Sequence, residues 1–153
     1  IACHTFSHSR AVDLDEAAMA REIERNRSFF QSLDPSIALE NFAYPYGLAS
    51  IWRKSQMAKS FRSARGILPG VNRDVIDLQF LRAAPLVNCE IDAAGIDRYV
   101  DEAQDSGGWL SWYTKSNQYS RAKLNADLET LKAASTRNMP IVTVAEALRR
   151  IGA

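Results

Sequence analysis

The sequence predicts an α/β fold of one globular domain. Short apolar runs alternate along the chain with stretches whose apolar residues recur at helical spacing, the pattern of strand, helix, strand units around a parallel sheet. Hydrophobic side chains make up 46% of the 153 residues and charged ones 24%, so the chain can bury a core. Because no repeat, low-complexity tract or linker divides it, we expect residues 1–153 to form a single domain.

In the first half of the chain, residues that start or end helices and strands stand between the apolar segments. Asp13 and Asp15 supply cap-type residues for a helix. Pro45 and Gly47 end a strand-like run, because proline donates no ladder hydrogen bond and glycine permits positive φ. The expected elements are a strand stub at 1–3, a helix over 14–33, a strand over 41–44, a helix over 49–60 and a short apolar run over 60–64.

The second half shows both kinds of periodicity. Aromatic and polar residues alternate over 109–114, which indicates a strand. Thr143 and Glu146 have the spacing of a capping box, and Gly152 suits the end of that last helix. The remaining elements are a strand within 77–87, a helix from about 92 with the apolar stripe Ile96, Tyr99, Val100 and Ala103, a helix carrying Leu124, Leu128 and Leu131, and a strand over 141–144.

Charge and hydropathy exclude two classes of partner. Nineteen basic and eighteen acidic residues leave a formal charge of +1, so no overall field attracts nucleic acid or an anionic membrane. No apolar run reaches the roughly 18 residues of a membrane span. Cys3 and Cys89 are too few and too far apart for a thiolate zinc site. Each is expected to be a packing thiol, and a single disulfide between them is the alternative. The sequence leaves localisation open.

The sharpest local feature is the segment His4-Thr5-Phe6-Ser7-His8, which contains the only two histidines in the chain. They lie four positions apart after a predicted strand. If the segment turns helically, both imidazoles lie on one side and their nitrogens can converge on one metal ion. The alternative is two ordinary loop histidines, because this spacing alone recurs by chance.

This segment resembles the histidine, serine or threonine, two variable residues, histidine motif of the NodB homology domain, found in polysaccharide deacetylases of carbohydrate esterase family 4. Further along, Phe42-Ala43-Tyr44-Pro45-Tyr46-Gly47 is similar to the family's next motif, an aromatic-rich strand end that closes in proline and tyrosine. Looser similarity through 61–66, 108–114 and 141–144 extends the resemblance over nearly the whole chain.

The resemblance implies an irregular (β/α) barrel of the NodB, or glycoside hydrolase/deacetylase, type that is incomplete at its N-terminus. The family's first motif, an aspartate pair that supplies the third metal ligand and the general base, would lie upstream of Ile1. Asp13 and Asp15 fit helix capping better than a ligand role. Because an opened barrel exposes strand edges, we expect the chain to associate with a missing N-terminal segment or with a second copy.

The resemblance also implies an activity: removal of acetyl groups from N-acetylated polysaccharides or oligosaccharides with zinc or a similar divalent ion. Carried over residue by residue, His4 and His8 are the metal ligands, and the backbone N–H of Tyr46 donates to the oxyanion. Tyr44, Pro45 and Trp112 are expected to contact the substrate, although such aromatic residues are more often core. Family members are often exported or associated with the cell envelope.

Two departures from the family affect catalytic positions. Lys115 follows the strand over 109–114, where the family generally places a histidine that acts as general acid. A lysine titrates near about 10.4, so Lys115 would serve better as a point charge than as a proton donor, and a solvated loop lysine is the alternative. A smaller departure is Ala43, which stands where the family often has arginine. The absent aspartate pair and Lys115 motivate a second hypothesis, a non-catalytic glycan-binding relative. A third hypothesis is a purely structural metal site at His4 and His8.

Overall fold

The computed structural model describes residues 1–85, 93–114 and 120–153. These residues group into two compact units, the first made of Ile1–Ile67 with Asp77–Leu81 and the second of Leu68–Ile76 with Arg82–Ala153. Helices and short strands alternate in both units, and each unit contains a two-stranded parallel sheet. The single domain and the barrel remain predictions.

In the first unit, parallel chain segments lie side by side. Strand β1 (Asn41–Ala43) pairs with β2 (Ser63–Arg65). Cys3 forms a parallel bridge with Phe42, in which the Cys3 N–H donates to Asn41 O at 2.8 Å and the Ala43 N–H donates to Cys3 O at 2.8 Å. Since the segments run in one direction, the residues that follow Cys3 and β1 emerge at the same edge.

Two helices cover this unit. Helix α1 (Glu16–Leu33) begins where the sequence predicts, and the Asp15 carboxylate accepts the Ala18 N–H at 2.6 Å as its N-cap. Helix α2 (Ile51–Ala58) begins after Ser50, whose hydroxyl accepts the Arg53 N–H at 3.2 Å. A single 3₁₀ turn (Pro45–Gly47) links β1 to the segment before α2.

The core of the first unit is aromatic at its centre. The Phe42 ring contacts those of Tyr44 and Phe61, with centroids 5.1 and 5.2 Å apart. Cys3 is a buried free thiol within this core, as expected, and burial raises its pKa. Cys89 lies outside the described residues. The other core residues are Ala11, Met19, Ile23, Leu39, Met57 and Ala64.

The second unit is mainly helical, with α3 (Ala93–Ser106), α4 (Arg121–Thr136) and α5 (Val144–Arg150). Strands β3 (Ala84–Pro85) and β4 (Trp112–Tyr113) pair in parallel. Its core centres on the buried residues Ile96, Val100 and Ala133. Among the described helices of the chain, none combines the length and apolar character of a membrane-spanning segment.

Two predicted elements differ from the structure. The predicted strand over 141–144 is wrong: Thr143 instead caps α5 by accepting the Glu146 N–H at 3.2 Å, and the Ile141 side chain is 64% exposed. The strand expected over 109–114 is shorter, because within that range only β4 forms a ladder, whereas the strand expected within 77–87 corresponds to β3. Local cap chemistry outweighs apolar composition at Thr143.

Gly47 is expected to be intolerant of a side chain. Its φ is +70°, and a Cβ there would overlap the side chain of Ile67. Gly47→Ala should lower the free energy of unfolding by about 1–3 kcal/mol, measured by urea denaturation. Gly107→Ala is the matched control, because Gly107 has φ +61° but open space around the added Cβ. Equal losses in the two variants would contradict a steric role for Ile67.

Candidate metal centre

Two parallel segments bring the sequence-predicted residues together in the first unit. His4 directly follows Cys3, and the Pro45–Gly47 turn follows β1. The carboxyl ends of parallel strands are where α/β proteins place their ligand-binding residues. The motif histidines and the predicted turn therefore meet at one edge.

The rings of His4, His8 and Tyr46 form one cluster. The imidazole centroids of His4 and His8 are 4.8 Å apart with an interplanar angle of 65°. The Tyr46 ring lies 4.7 Å from that of His8. Two imidazoles that bind one zinc ion through nitrogens, each about 2.1 Å from the metal, have centroids roughly 5 Å apart. The separation of the two histidines suits a shared divalent ion.

A backbone carbonyl orients the His4 ring. Nδ1 of His4 lies 2.7 Å from Ala43 O, and a carbonyl only accepts, so Nδ1 carries the hydrogen and the Nε2 lone pair is left for a ligand. Metal-binding histidines commonly donate their other N–H in this way. Burial lowers the pKa of His4, an effect that the bond to Ala43 opposes and that the nearby charges of His8 and Arg65 reinforce. His4 is therefore neutral at neutral pH, the form that binds metal.

Left-handed backbone conformations cluster at this site. Thr5, His8 and Tyr46 have φ of 59°, 57° and 58°, although none is glycine. Such residues cost roughly 1–3 kcal/mol each and persist only where their surroundings hold them. The Thr5 hydroxyl is also buried, with no hydrogen-bond partner in the part of the chain that the structure describes. The surroundings must hold the histidine segment and the turn in their observed shapes.

One buried acidic residue near the histidines was missed by sequence reasoning. Glu22 on α1 accepts hydrogen bonds from the backbone of Phe6 and Ser7 and from the Ser7 hydroxyl. A signal for it exists, because Glu22 lies three positions after Met19 and directly before Ile23, on the apolar face of α1. A carboxylate on a buried helix face indicates a specific polar partner.

Other predicted site residues lie elsewhere. The Tyr44 side chain is 1% exposed, its hydroxyl donates to Gln79 O at 3.2 Å, and burial raises its pKa far above the ordinary value. Pro45 is also fully buried. Both side chains belong to the core, which corrects the expectation that they contact substrate. The Tyr46 ring is 57% exposed and is the side chain of the turn that faces solvent.

The remaining two predicted residues, Trp112 and Lys115, do not belong to the described part of the first unit. Trp112 belongs to the second unit, where its ring packs edge-on against Tyr99 with centroids 5.6 Å apart. Lys115 lies outside the described residues. Their roles in substrate binding and proton transfer stay predictions.

His4 and His8 are the two metal ligands that the sequence predicts. Within residues 1–85, 93–114 and 120–153, no group of three or more histidine, cysteine, aspartate or glutamate side chains is arranged to hold one. Asp13 pairs with Arg10 at 3.3 Å and Asp15 caps α1, so neither acts as a replacement ligand. A carboxylate ligand of the kind the motif resemblance implies is therefore not among the described residues.

Comparison with known proteins adds no relative: no family model, curated protein or solved structure matches this chain. The likeness to the NodB domain therefore depends on the motifs alone.

Glu22 predicts a pH dependence of stability. Burial alone would raise its pKa, but the hydrogen bonds from Ser7 and Phe6 outweigh burial and hold the pKa below its ordinary value. The unfolded chain therefore takes up this proton at a higher pH than the folded chain does, and the stabilisation present above about pH 4.3 is lost as pH falls through the folded pKa. Urea denaturation should show that the difference in free energy of unfolding between the wild type and Glu22→Gln becomes smaller below about pH 5. A difference that stays constant with pH would contradict this.

Proposed function

We propose that this chain is the metal-binding part of a hydrolase that removes acetyl groups from N-acetylated sugars of a polysaccharide. His4 and His8 are the proposed ligands of a divalent ion, zinc first. The observation that supports this most directly is the placement of both imidazoles and the Tyr46 ring in one cluster, with Nδ1 of His4 already donating to Ala43 O at 2.7 Å. A bound ion would supply Lewis acidity toward the acetyl carbonyl and activate water.

The turn after β1 supplies the groups that would meet the substrate. The Gly47 N–H closes the turn by donating to Tyr44 O at 2.9 Å, so the N–H of Tyr46 is not the donor of that bond. We assign the Tyr46 N–H to the developing oxyanion. The exposed face of the Tyr46 ring offers a surface on which the C–H face of a sugar can stack.

The proposed reaction also needs a general base and a proton donor for the leaving amine. Lys115 is the proposed charged group for the second role, either as a proton donor with a lowered pKa or as a point charge. The base is proposed to be a carboxylate from a segment that associates with the strand edge at residues 1–3. Full activity is expected only when the chain is combined with such a segment.

Metal analysis and acetate release test this proposal. The purified chain should contain bound zinc. Mixed with a segment that carries the base, it should release acetate from N-acetylglucosamine oligomers, and this release should stop with a chelator and return when zinc is added. Peptidoglycan fragments and chitin-like oligomers serve as alternative substrates that differ in the glycan around the acetyl group. The proposal is contradicted if the chain binds no zinc, or if the mixture releases no acetate from any of these substrates.

A non-catalytic glycan-binding relative is the second candidate. The observation in its favour is that the described residues contain no third ligand beside His4 and His8. Such a protein would retain N-acetylglucosamine oligomers in a binding assay and release no acetate. A purely structural metal site would instead bind no glycan, while a chelator would lower the melting temperature.

A further inference from the structure

We propose that Glu22 is a positioning residue, which holds the segment between the two histidines in the shape that lets both rings face one metal ion. This inference rests on the proposed function, because it assigns a role at the same site. Glu22 itself is not a ligand in this assignment. It acts through the backbone of Phe6 and Ser7, the residues midway between His4 and His8.

The contacts of Glu22 converge on one oxygen. Oε2 accepts the Phe6 N–H at 3.0 Å, the Ser7 N–H at 2.7 Å and the Ser7 hydroxyl at 2.8 Å. Hydrogen bonds to an ionised carboxylate are roughly twice as strong as those between neutral groups. Three of them on two adjacent residues fix the position of the segment relative to α1.

The strained backbone on either side explains why such an anchor is needed. Thr5 and His8 flank the anchored pair and both have left-handed φ, an arrangement that relaxes unless it is held. His8 is exposed and His4 is tied to Ala43, so a shift of the segment would move the His8 ring away from a fixed His4 ring. The 4.8 Å ring separation therefore depends on the bonds to Glu22.

Glu22 is itself held in place. It is buried on α1 beside Met19 and Ile23, which pack in the core of the first unit. Its other oxygen pairs with Arg25 at 3.5 Å, and the Arg25 guanidinium lies 4.1 Å from the centre of the Phe6 ring. Helix α1 thus contacts the segment at two places: Glu22 binds the segment's backbone, and Arg25 lies against the Phe6 ring. A rigid helix with two contacts is suited to positioning a short segment.

Two substitutions separate positioning from a simple effect of negative charge. Glu22→Gln removes the charge but keeps a side-chain oxygen at the same reach, while Glu22→Asp keeps the charge and shortens the side chain by one methylene. A positioning role predicts that Gln is the better replacement. An electrostatic role of the carboxylate predicts that Asp is better. Glu22→Ala removes both the charge and the reach.

The experiment combines amide hydrogen exchange with titration of zinc alone, using the full chain. Glu22→Ala and Glu22→Asp should lose exchange protection at the Phe6 and Ser7 amides and bind zinc about 10–100-fold more weakly, the range for residues that orient metal ligands. Glu22→Gln should stay within a few-fold of wild type. Glu24→Ala is the matched control, because Glu24 lies on the same helix but is exposed, and its side chain contacts Ser28 and Arg27 rather than the histidine segment among the described residues.

Each result decides the inference. Unchanged amide protection and zinc affinity in Glu22→Asp would overturn it, and so would a Gln variant that binds zinc more weakly than the Asp variant. If Glu22→Ala does not fold, the comparison of Gln with Asp still decides. If the wild type binds no zinc, the proposed function fails, while exchange at Phe6 and Ser7 still shows whether Glu22 anchors the segment.

Discussion

Replacing His4 or His8 by alanine is expected to abolish high-affinity zinc binding and to lower acetate release by more than about 100-fold. Residues that merely orient metal ligands change affinity or activity by about 10–100-fold, so loss of a ligand should exceed that range. With only two histidine ligands among the described residues, one substitution leaves a single imidazole. Zinc content by mass spectrometry and acetate release by enzymatic assay measure the two effects.

The double variant and a neighbouring control sharpen this test. Once one ligand is gone, removal of the second should add little, because the two act as a unit. Arg10→Ala is the control: Arg10 lies two positions after His8, is exposed and pairs with Asp13 at the surface. Full zinc content in both single histidine variants would refute the proposed metal site.

Replacing Arg53 by methionine is expected to lower the free energy of unfolding by about 3 kcal/mol. Arg53 is 7% exposed, and its Nε donates to Ala11 O at 2.9 Å. A second guanidinium nitrogen donates to Leu14 O and the third bonds with Gln56. Methionine would fill similar space but leave buried carbonyl groups without donors, at about 1–3 kcal/mol each. Urea denaturation measures the loss.

A surface arginine provides the comparison for Arg53. Arg62 is partly exposed and pairs with Glu40 at 3.5 Å, so Arg62→Met should cost less than about 1 kcal/mol. Equal losses for the two variants would mean that the carbonyl bonds of Arg53 contribute nothing specific. Because Ala11 and Leu14 lie between His8 and α1, Arg53→Met should also weaken zinc binding.

Local signals account for what the sequence predicted well. The Asp15 cap and the i, i+4 pair Met19 and Ile23 mark α1, since capping and helical periodicity act within a few residues. Apolar character alone does not ensure burial, because the Leu33 side chain is 66% exposed at the end of α1. The leucines of α4 are similar, because Leu124, Leu128 and Leu131 are about half exposed while Ala133 is buried. Which face packs depends on distant partners.

The turn at 44–47 contains one tyrosine whose position follows from the sequence pattern and one whose position does not. Period-two alternation places Phe42 and Tyr44 on one face of β1, and their rings do pack in the core. Tyr46 breaks the alternation because its left-handed φ turns the chain, so its ring joins His8 instead. Motif comparison could indicate the importance of both tyrosines. It could not separate the core residue from the exposed one.

The hydrogen bond between His4 and Ala43 joins residues 39 positions apart. A synthetic peptide spanning residues 1–10 would carry both imidazoles and lack the carbonyl that selects the tautomer of His4. It would also lack the carboxylate of α1. Capture of an ion at these histidines, as proposed, would thus be a product of tertiary assembly, and it would serve as a reporter that the parallel segments have docked.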